Sequence, residues 1–308
     1  MAADALLQKV LKWIAIAGGA LVALVVIAAA AIYLASQRSI DRVYTVPPRP
    51  APPIPGDSAS LARGQHLVMA VAKCTDCHGA DLGGNIFYSS MPFGLFPASN
   101  LTGGRGGVAV AYTDADWVRA IRHALRRDGR PLPWMPADAY MWLSDGDLAD
   151  IIAYVKSVKP VNRAWPAPHY GPVARLLLAT GKLPLFQAAR IDLLQGSVPG
   201  PAPGVSAEYG RYLTRVGGCV SCHGRELRGG LVVVPGAPPS ANLTPAGLAD
   251  WTEADFLRVF REGRRPDGRV LDPNYMPWRS SGLMSDEELR AIWTYLRTLP
   301  STATPAGP

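Results

Sequence analysis

From Trp13 to Ala35 the chain carries 23 consecutive residues without a charge, enough at ~1.5 Å per residue to cross a hydrocarbon layer ~30 Å thick. This pattern predicts a membrane-spanning helix. A cleaved signal peptide is the alternative, since Ala28 to Ala31 offer small-residue cleavage sites. A signal's apolar core is usually only ~7 to 15 residues, so the length favours a retained anchor. Six prolines follow between Pro47 and Pro55; they bar a helix and favour an extended, semi-rigid spacer. Fully extended at ~3.1 Å per residue, it would hold the next domain ~28 Å from the membrane.

Beyond the spacer the apolar positions take helical spacing. Leu148, Ile151, Ile152 and Val155, and again Leu289, Ile292, Trp293 and Leu296, fall at i, i+3, i+4, i+7 behind Ser144 and Ser285. The serines read as N-caps, and Ser285-Asp-Glu-Glu288 matches a capping box. Segments Asp114 to Arg127 and Glu253 to Arg265 are also predicted helical. A further helix is expected within Gly171 to Asp192, broken near Pro184. Leu176, Leu177, Leu178, Leu185 and Phe186 are too apolar for a free tether and predict packing on a domain or a partner. No segment alternates cleanly between apolar and polar, so the expected fold class is all-α.

Many of these elements occur twice. Asn100-Leu-Thr pairs with Asn242-Leu-Thr, Tyr112-Thr-Asp-Ala-Asp-Trp117 with Trp251-Thr-Glu-Ala-Asp-Phe256, and Asp128-Gly-Arg130 with Asp267-Gly-Arg269. Gly64 and Gly210 open the two copies, and Tyr154 and Tyr295 match in the final helices, where a glycine would let two helices approach closely. The expected organisation is an anchor (1–36), a Pro-rich spacer (37–57), a first domain (58–160), a linker (161–205) and a second domain (206–308).

The formal net charge of +7 raises the question of a nucleic-acid partner. Residues 58–160 carry 10 basic and 9 acidic side chains, and residues 206–308 carry 12 and 11. Both domains are almost neutral and show no basic stripe with interleaved aromatics, which excludes nucleic acid as the expected partner.

All four cysteines lie in Cys74-Thr-Asp-Cys77-His78 and Cys219-Val-Ser-Cys222-His223. A disulfide, a zinc site or a thioredoxin-like pair needs no histidine directly after the second cysteine. Two covalently bound c-type haems do, with the thiols on the vinyl groups and His78 and His223 on the irons. In domains of ~100 residues the porphyrin would supply much of the core, so folding should require haem. For the second axial position the repeat acts as a filter among seven methionines. Met135 and Met276 each lie nine residues before the N-cap serine and each precede a proline; they are the expected ligands, and a thioether on iron favours electron transfer. Apolar packing is the ordinary alternative for methionine. His66, His123 and His169 have no matching counterpart at a ligand position and read as non-ligands, with His123 the one competitor for the first iron. Arg126, Arg127 and Arg130, with Arg264, Arg265 and Arg269, surround the Asp-Gly turns and could pair with haem propionates or face solvent. Asn100, Asn242, Tyr112 and Trp251 are further possible propionate donors.

The run of Cys-His-Gly-x-x-Leu, Asn-Leu-Thr, an Asp-Gly-Arg turn, Met-Pro and a Ser-Asp-x-x-Leu terminal helix resembles the cytochrome c subunits of bacterial alcohol and gluconate dehydrogenases, over residues 60–160 and 206–300. Those subunits typically carry three haem motifs, whereas this chain has two and an N-terminal anchor. The resemblance implies two tandem cytochrome c-like domains, and haem attachment outside the cytoplasm. The domains are then expected on the periplasmic face of a bacterial cytoplasmic membrane, behind a single-pass anchor. The flanking charges, Lys9 and Lys12 against Arg38 and Arg42, do not set the orientation. The expected function is electron transfer between redox partners (cytochrome, oxidase, reaction centre or dehydrogenase) of a respiratory or photosynthetic chain, with no catalytic residues. The alternatives are a cytochrome subunit within a dehydrogenase complex, and a dihaem enzyme such as a peroxidase or thiosulfate dehydrogenase. The enzyme would need an open or unusually ligated iron.

Overall fold

A computed structural model describes residues 2–233 and 236–305; Met1 of the expected anchor and residues 234, 235 and 306–308 of the expected second domain lie outside these. Helix α1 (Ala2–Ile40) is 39 residues long, and its apolar stretch is exposed along its length. It is long and apolar enough to cross a membrane.

Asp57 caps helix α2 (Ser58–His66) by accepting from the Ser60 N–H. A π turn over Leu67–Val71 leads to Lys73 in the left-handed region, φ 53°, and to the one-turn helix α3 (Cys74–His78). Strands β1 (Asn85–Ser90) and β2 (Gly94–Ala98) form an antiparallel hairpin. Helix α4 (Asp114–His123) opens with a Thr113/Asp116 capping box. Helices α5 (Ala137–Tyr140) and α6 (Asp145–Ser157) complete the first copy, α6 capped by Ser144. The linker adds strand β3 (His169–Tyr170) to β2 and then helix α7 (Pro172–Ala179). The second copy repeats the helices: α8 (Ala207–Val216), α9 (Cys219–His223), α10 (Glu253–Glu262), α11 (Trp278–Ser281) and α12 (Asp286–Thr298). Ser285 and Glu288 form the expected capping box on α12.

The fold is mostly helical, with one three-stranded sheet among the described residues that the sequence pattern did not reveal. Phe87 and Tyr88, adjacent in β1, both pack against Trp134, because a register shift between Ile86 and Tyr88 breaks the period of two. Helices α4 and α10 stop short of Arg127 and Arg265 because Ala124 (φ 51°) and Gly263 (φ 66°) take the left-handed conformation. Tight turns then follow, closed by Arg126 N–H to Arg130 O and Arg265 N–H to Arg269 O.

The two glycines seat the helix crossings. A Cβ on Gly64 would collide with the Asp150 carbonyl and meet Tyr154 Cβ at 2.8 Å. One on Gly210 would collide with the Ala291 carbonyl and meet Tyr295 Cβ at 2.8 Å. These crossings bury Leu67, Leu148 and Ile152 in one copy and Leu213, Leu289 and Ile292 in the other, each contributing about 1.5–3 kcal/mol. Both copies share one contiguous core.

A polar knot closes the junction between the copies. Arg63 donates to Asp147 at 3.1 and 3.2 Å, to Glu288 at 3.2 Å and to Tyr209 Oη at 3.1 Å. His66 Nε2 lies 2.7 Å from Glu288 Oε2, and Tyr212 Oη donates to Asp147 at 2.5 Å. Asp147 and Glu288 hold the same position in the first turns of α6 and α12, so each copy's opening helix reaches the other's closing helix. Burial alone would raise the Glu288 carboxyl, but bonds from His66 and the Ser285 N–H, with the nearby Arg63 charge, hold it below its ordinary range.

The proline-rich segment lies against the first copy. Tyr44 N–H donates to Gly129 O at 3.0 Å, and Arg49 donates to Leu194 O at 2.7 Å. The linker is equally engaged: Leu178, Leu185 and Phe186 form a second core with Phe96, and Ile40 and Trp134 pack against it. Leu176 stays exposed.

Candidate haem sites

Each cysteine motif forms a single helical turn entered from a left-handed residue, Lys73 (φ 53°) before Cys74 and Gly218 (φ 75°) before Cys219. That turn places both cysteines and the histidine together. None of the four cysteines is in a disulfide, and among the described residues no cluster of three or more His, Cys, Asp or Glu could hold a metal ion by itself. Burial pushes the Cys74 thiol up to about 12 and Cys77 up to about 11.

His78 Nδ1–H donates to the Ser99 carbonyl at 2.7 Å, and His223 Nδ1–H donates to the Ala241 carbonyl at 2.7 Å. In that tautomer Nε2 keeps its lone pair for iron. Burial lowers both imidazole pKa values, which favours the neutral ring. Each acceptor carbonyl directly precedes an Asn-Leu-Thr triplet, and the structure explains the repetition. Asn100 is fully buried; its amide donates to Val161 O (2.7 Å) and Arg163 O (3.0 Å), and its Oδ1 accepts from Thr102 N–H (2.9 Å). Asn242 donates to Thr302 O (2.8 Å) and accepts from Thr244 N–H (2.9 Å). Both asparagines therefore pin the histidine-orienting loop to the irregular segment that follows each copy's final helix. Both amide hydrogens of Asn100 are occupied there and are not free for a propionate, whereas the Asn242 amide makes one such bond.

A cavity of 610 Å³ opens beside the first motif, within the range of cofactor sites. Cys74, Cys77, His78 and Met135 all line it, so the structure brings the first predicted set together. Trp117, Ile121, Ile151 and Val155 provide apolar wall, and Tyr112, Arg126 and Arg127 also line it. Two thiols, a neutral imidazole, a thioether and flanking cations form a donor set that fits haem c. In the second copy Cys219 and Met276 pack against the shared core, as Cys74 and Met135 do. The two methionines share one backbone contact, Met135 O accepting from Ala137 N–H (2.8 Å) and Met276 O from Trp278 N–H (2.7 Å), but the loops before them differ: Trp134 is left-handed (φ 56°) and Tyr275 is not.

The other histidines lie elsewhere. His66 is bound to Glu288, His169 is on the exposed edge of β3, and His123 is buried on α4 without lining the cavity. Its Nδ1 has no hydrogen-bond partner, and burial followed by the charges of Arg122 and Arg49 lowers its pKa to about 4. Of the arginines flanking the Asp-Gly turns, Arg127 pairs with Asp116 at 3.2 Å, Arg130 with Asp41 at 3.6 Å and Arg269 with Asp267 at 2.7 Å. Arg265 lies 5.8 Å over the Trp251 ring.

Sequence reasoning did not anticipate the contacts between the attachment turns and the opposite copy. Asp76, inside the first motif, accepts from Ser280 on α11 (2.6 Å), and Ser221, inside the second, donates to Asp138 on α5 (2.8 Å). Lys73 is half-buried between the turns and donates to Val71 O (3.0 Å) and Gly217 O (2.7 Å). The only sequence signal for these was the polar residue inside each motif.

The comparisons with known proteins agree with this geometry. A family model described as Cytochrome c matches residues 61–159, and one described as Cytochrome C oxidase, cbb3-type, subunit III matches residues 207–296. The fructose dehydrogenase cytochrome subunit of Gluconobacter japonicus is 29% identical, over 83% of this chain and 56% of the relative. The cytochrome c subunit of the alcohol dehydrogenase (quinone) of Gluconacetobacter polyoxogenes is 27% identical, over 82% and 58%. A diheme cytochrome c-type protein of Cereibacter sphaeroides is 28% identical, over 80% of this chain and 88% of the relative. The chain thus spans a little over half the length of the first two relatives. With one cytochrome c domain on each side of the linker, each built around its own attachment turn, the chain belongs to the cytochromes c and carries two haem c groups.

Proposed function

We propose that this chain is a membrane-anchored carrier that passes electrons between its two haems and onward to a redox partner, with α1 as the anchor and the haem domains on the periplasmic face of a bacterial membrane. The supporting observation is the reciprocal contact of the two attachment turns, Asp76 with Ser280 and Ser221 with Asp138, over one shared core. Bound haem supplies the one-electron chemistry. Cys74, Cys77, Cys219 and Cys222 fix each group covalently, and His78 and His223, oriented by Ser99 and Ala241, serve as proximal ligands. Met135 and Met276 are the second ligands; a thioether raises the potential and closes the position a substrate would need. Buried walls exclude water, and the interlocked copies keep the two sites in a fixed relation.

Met135→His and Met276→His each test this reading. Each should leave both haems attached and lower the potential of one haem alone, read by spectroelectrochemical titration with loss of that haem's Met-to-iron charge-transfer band. If the band and both potentials survive in Met135→His, another residue ligates the first iron.

The names of the relatives favour a more specific partner, a dehydrogenase that delivers electrons to this chain. Co-purification of a catalytic chain with the detergent-solubilised native protein is the expected result. Isolation of the cytochrome alone from gently solubilised membranes would favour a free carrier.

A further inference from the structure

We propose that the β1–β2 hairpin tip and helix α7 rest in the lipid headgroup layer, so that the first haem domain lies directly on the bilayer. This rests on the reading of α1 as a membrane span. Tyr33 belongs to the uncharged stretch of α1, and the Arg175 guanidinium of α7 sits 4.2 Å over its ring. The same guanidinium donates to Ser36 Oγ (2.9 Å) and Gln37 Oε1 (3.1 Å), the first polar residues beyond that stretch. A tyrosine with a cation at the end of an apolar span marks the interface, where arginine keeps its stem in the apolar layer and its head among polar groups.

Helix α7 therefore meets α1 at headgroup depth. Val173 and Leu176 lie within two residues of Arg175, about 3 Å along the helix axis, and both are exposed. The hairpin is tied to the first turn of α7 by Gly171 N–H to Phe93 O (2.8 Å) and Val173 N–H to Pro92 O (3.4 Å). Its tip presents Tyr88 and Met91, the latter 83% exposed. From Leu82 to Gly104 the chain has no charged residue, so this surface meets no desolvation cost for charge on entering the interface. A soluble protein face would usually carry charge here, whereas an uncharged aromatic loop continuous with a membrane span suits lipid.

The test uses full-length holoprotein in phosphatidylethanolamine/phosphatidylglycerol vesicles containing a phospholipid with a diazirine near the head of its acyl chain. After irradiation, adducts are mapped by peptide mass spectrometry. Peptides containing Met91 and Val173–Leu176 should carry several-fold more adduct than those containing Val270 or Leu283, exposed apolar residues of the second domain. They should label alongside residues 13–35 of α1. Labelling of α1 with the hairpin and α7 at the level of Val270 and Leu283 would overturn the inference and leave the anchor standing. No labelling of α1 would remove the anchor reading, and the inference with it. Met91→Glu, with its haem spectrum unchanged, should lower hairpin labelling while labelling of α1 persists; unchanged hairpin labelling counts against contact at the tip.

Discussion

At the scale of single residues, the buried polar side chains carry the sharpest predictions. Replacing Asn100 by Ala leaves the Arg163 carbonyl and Thr102 N–H without their partner, and weakens the bonding of the Val161 carbonyl. An unsatisfied buried group costs about 1–3 kcal/mol, so a loss of at least about 2 kcal/mol is expected in denaturant unfolding. Asn242→Ala should cost less, because Thr302 O keeps a bond from Thr244 Oγ1 at 3.0 Å. His123 gives a pH prediction with a definite sign. Its folded pKa is lowered from 6.5 to about 4, chiefly by burial, so the unfolded chain takes up the proton first as pH falls. The neutral ring leaves stability intact above pH 6.5, and stability declines as pH falls from 6.5 toward 4. His123→Phe should narrow the difference between the melting temperatures at pH 7 and pH 5. An unchanged difference would place the acid sensitivity elsewhere.

Among the elements, the glycines at the helix crossings decide whether each domain closes. Gly64→Ala and Gly210→Ala each drive a Cβ into a backbone carbonyl of the facing helix, a clash that a rigid helix cannot relieve by a side-chain rotation. Each should destabilise its domain by about 3 kcal/mol or more, seen as a lowered melting temperature and reduced haem content. Gly146→Ala, on α6 with open space around it, is the control and should add about 0.4–1 kcal/mol. These crossings were legible in the sequence because Gly64 and Gly210, Tyr154 and Tyr295, and the capping serines recur in register. The attachment turns were legible for the same reason, and because Cys-x-x-Cys-His leaves few other chemistries. The sheet was not, because its aromatic residues follow tertiary packing around Trp134 and Phe96 rather than a period of two. The carbonyls that orient His78 and His223 were also out of reach, since any residue type can supply a backbone oxygen; only their fixed place before Asn-Leu-Thr marked them.

For the whole molecule, Arg63 is the residue whose loss should separate the two copies. Arg63→Met leaves Asp147 and Glu288 without their shared cation, and breaking a buried pair costs about 3–5 kcal/mol. The side chain of Arg63 is about a quarter exposed, which places the loss at the lower end. The single unfolding transition expected of the wild type should split in two by calorimetry, while both haem spectra stay unchanged. A single, merely shifted transition would mean that the apolar core alone couples the copies. The proline-rich segment has a separate consequence. Because Tyr44 and Arg49 fasten it to the first domain and the linker, it gives no slack, and lengthening it near Pro50 should leave the height of that domain above the anchor unchanged. A cytochrome on a loose tether sweeps a volume and finds its partners by reach. One clamped at its base presents a constant face, and its encounters become collisions in a plane, governed by lateral diffusion and by which side of the molecule is turned away from the lipid.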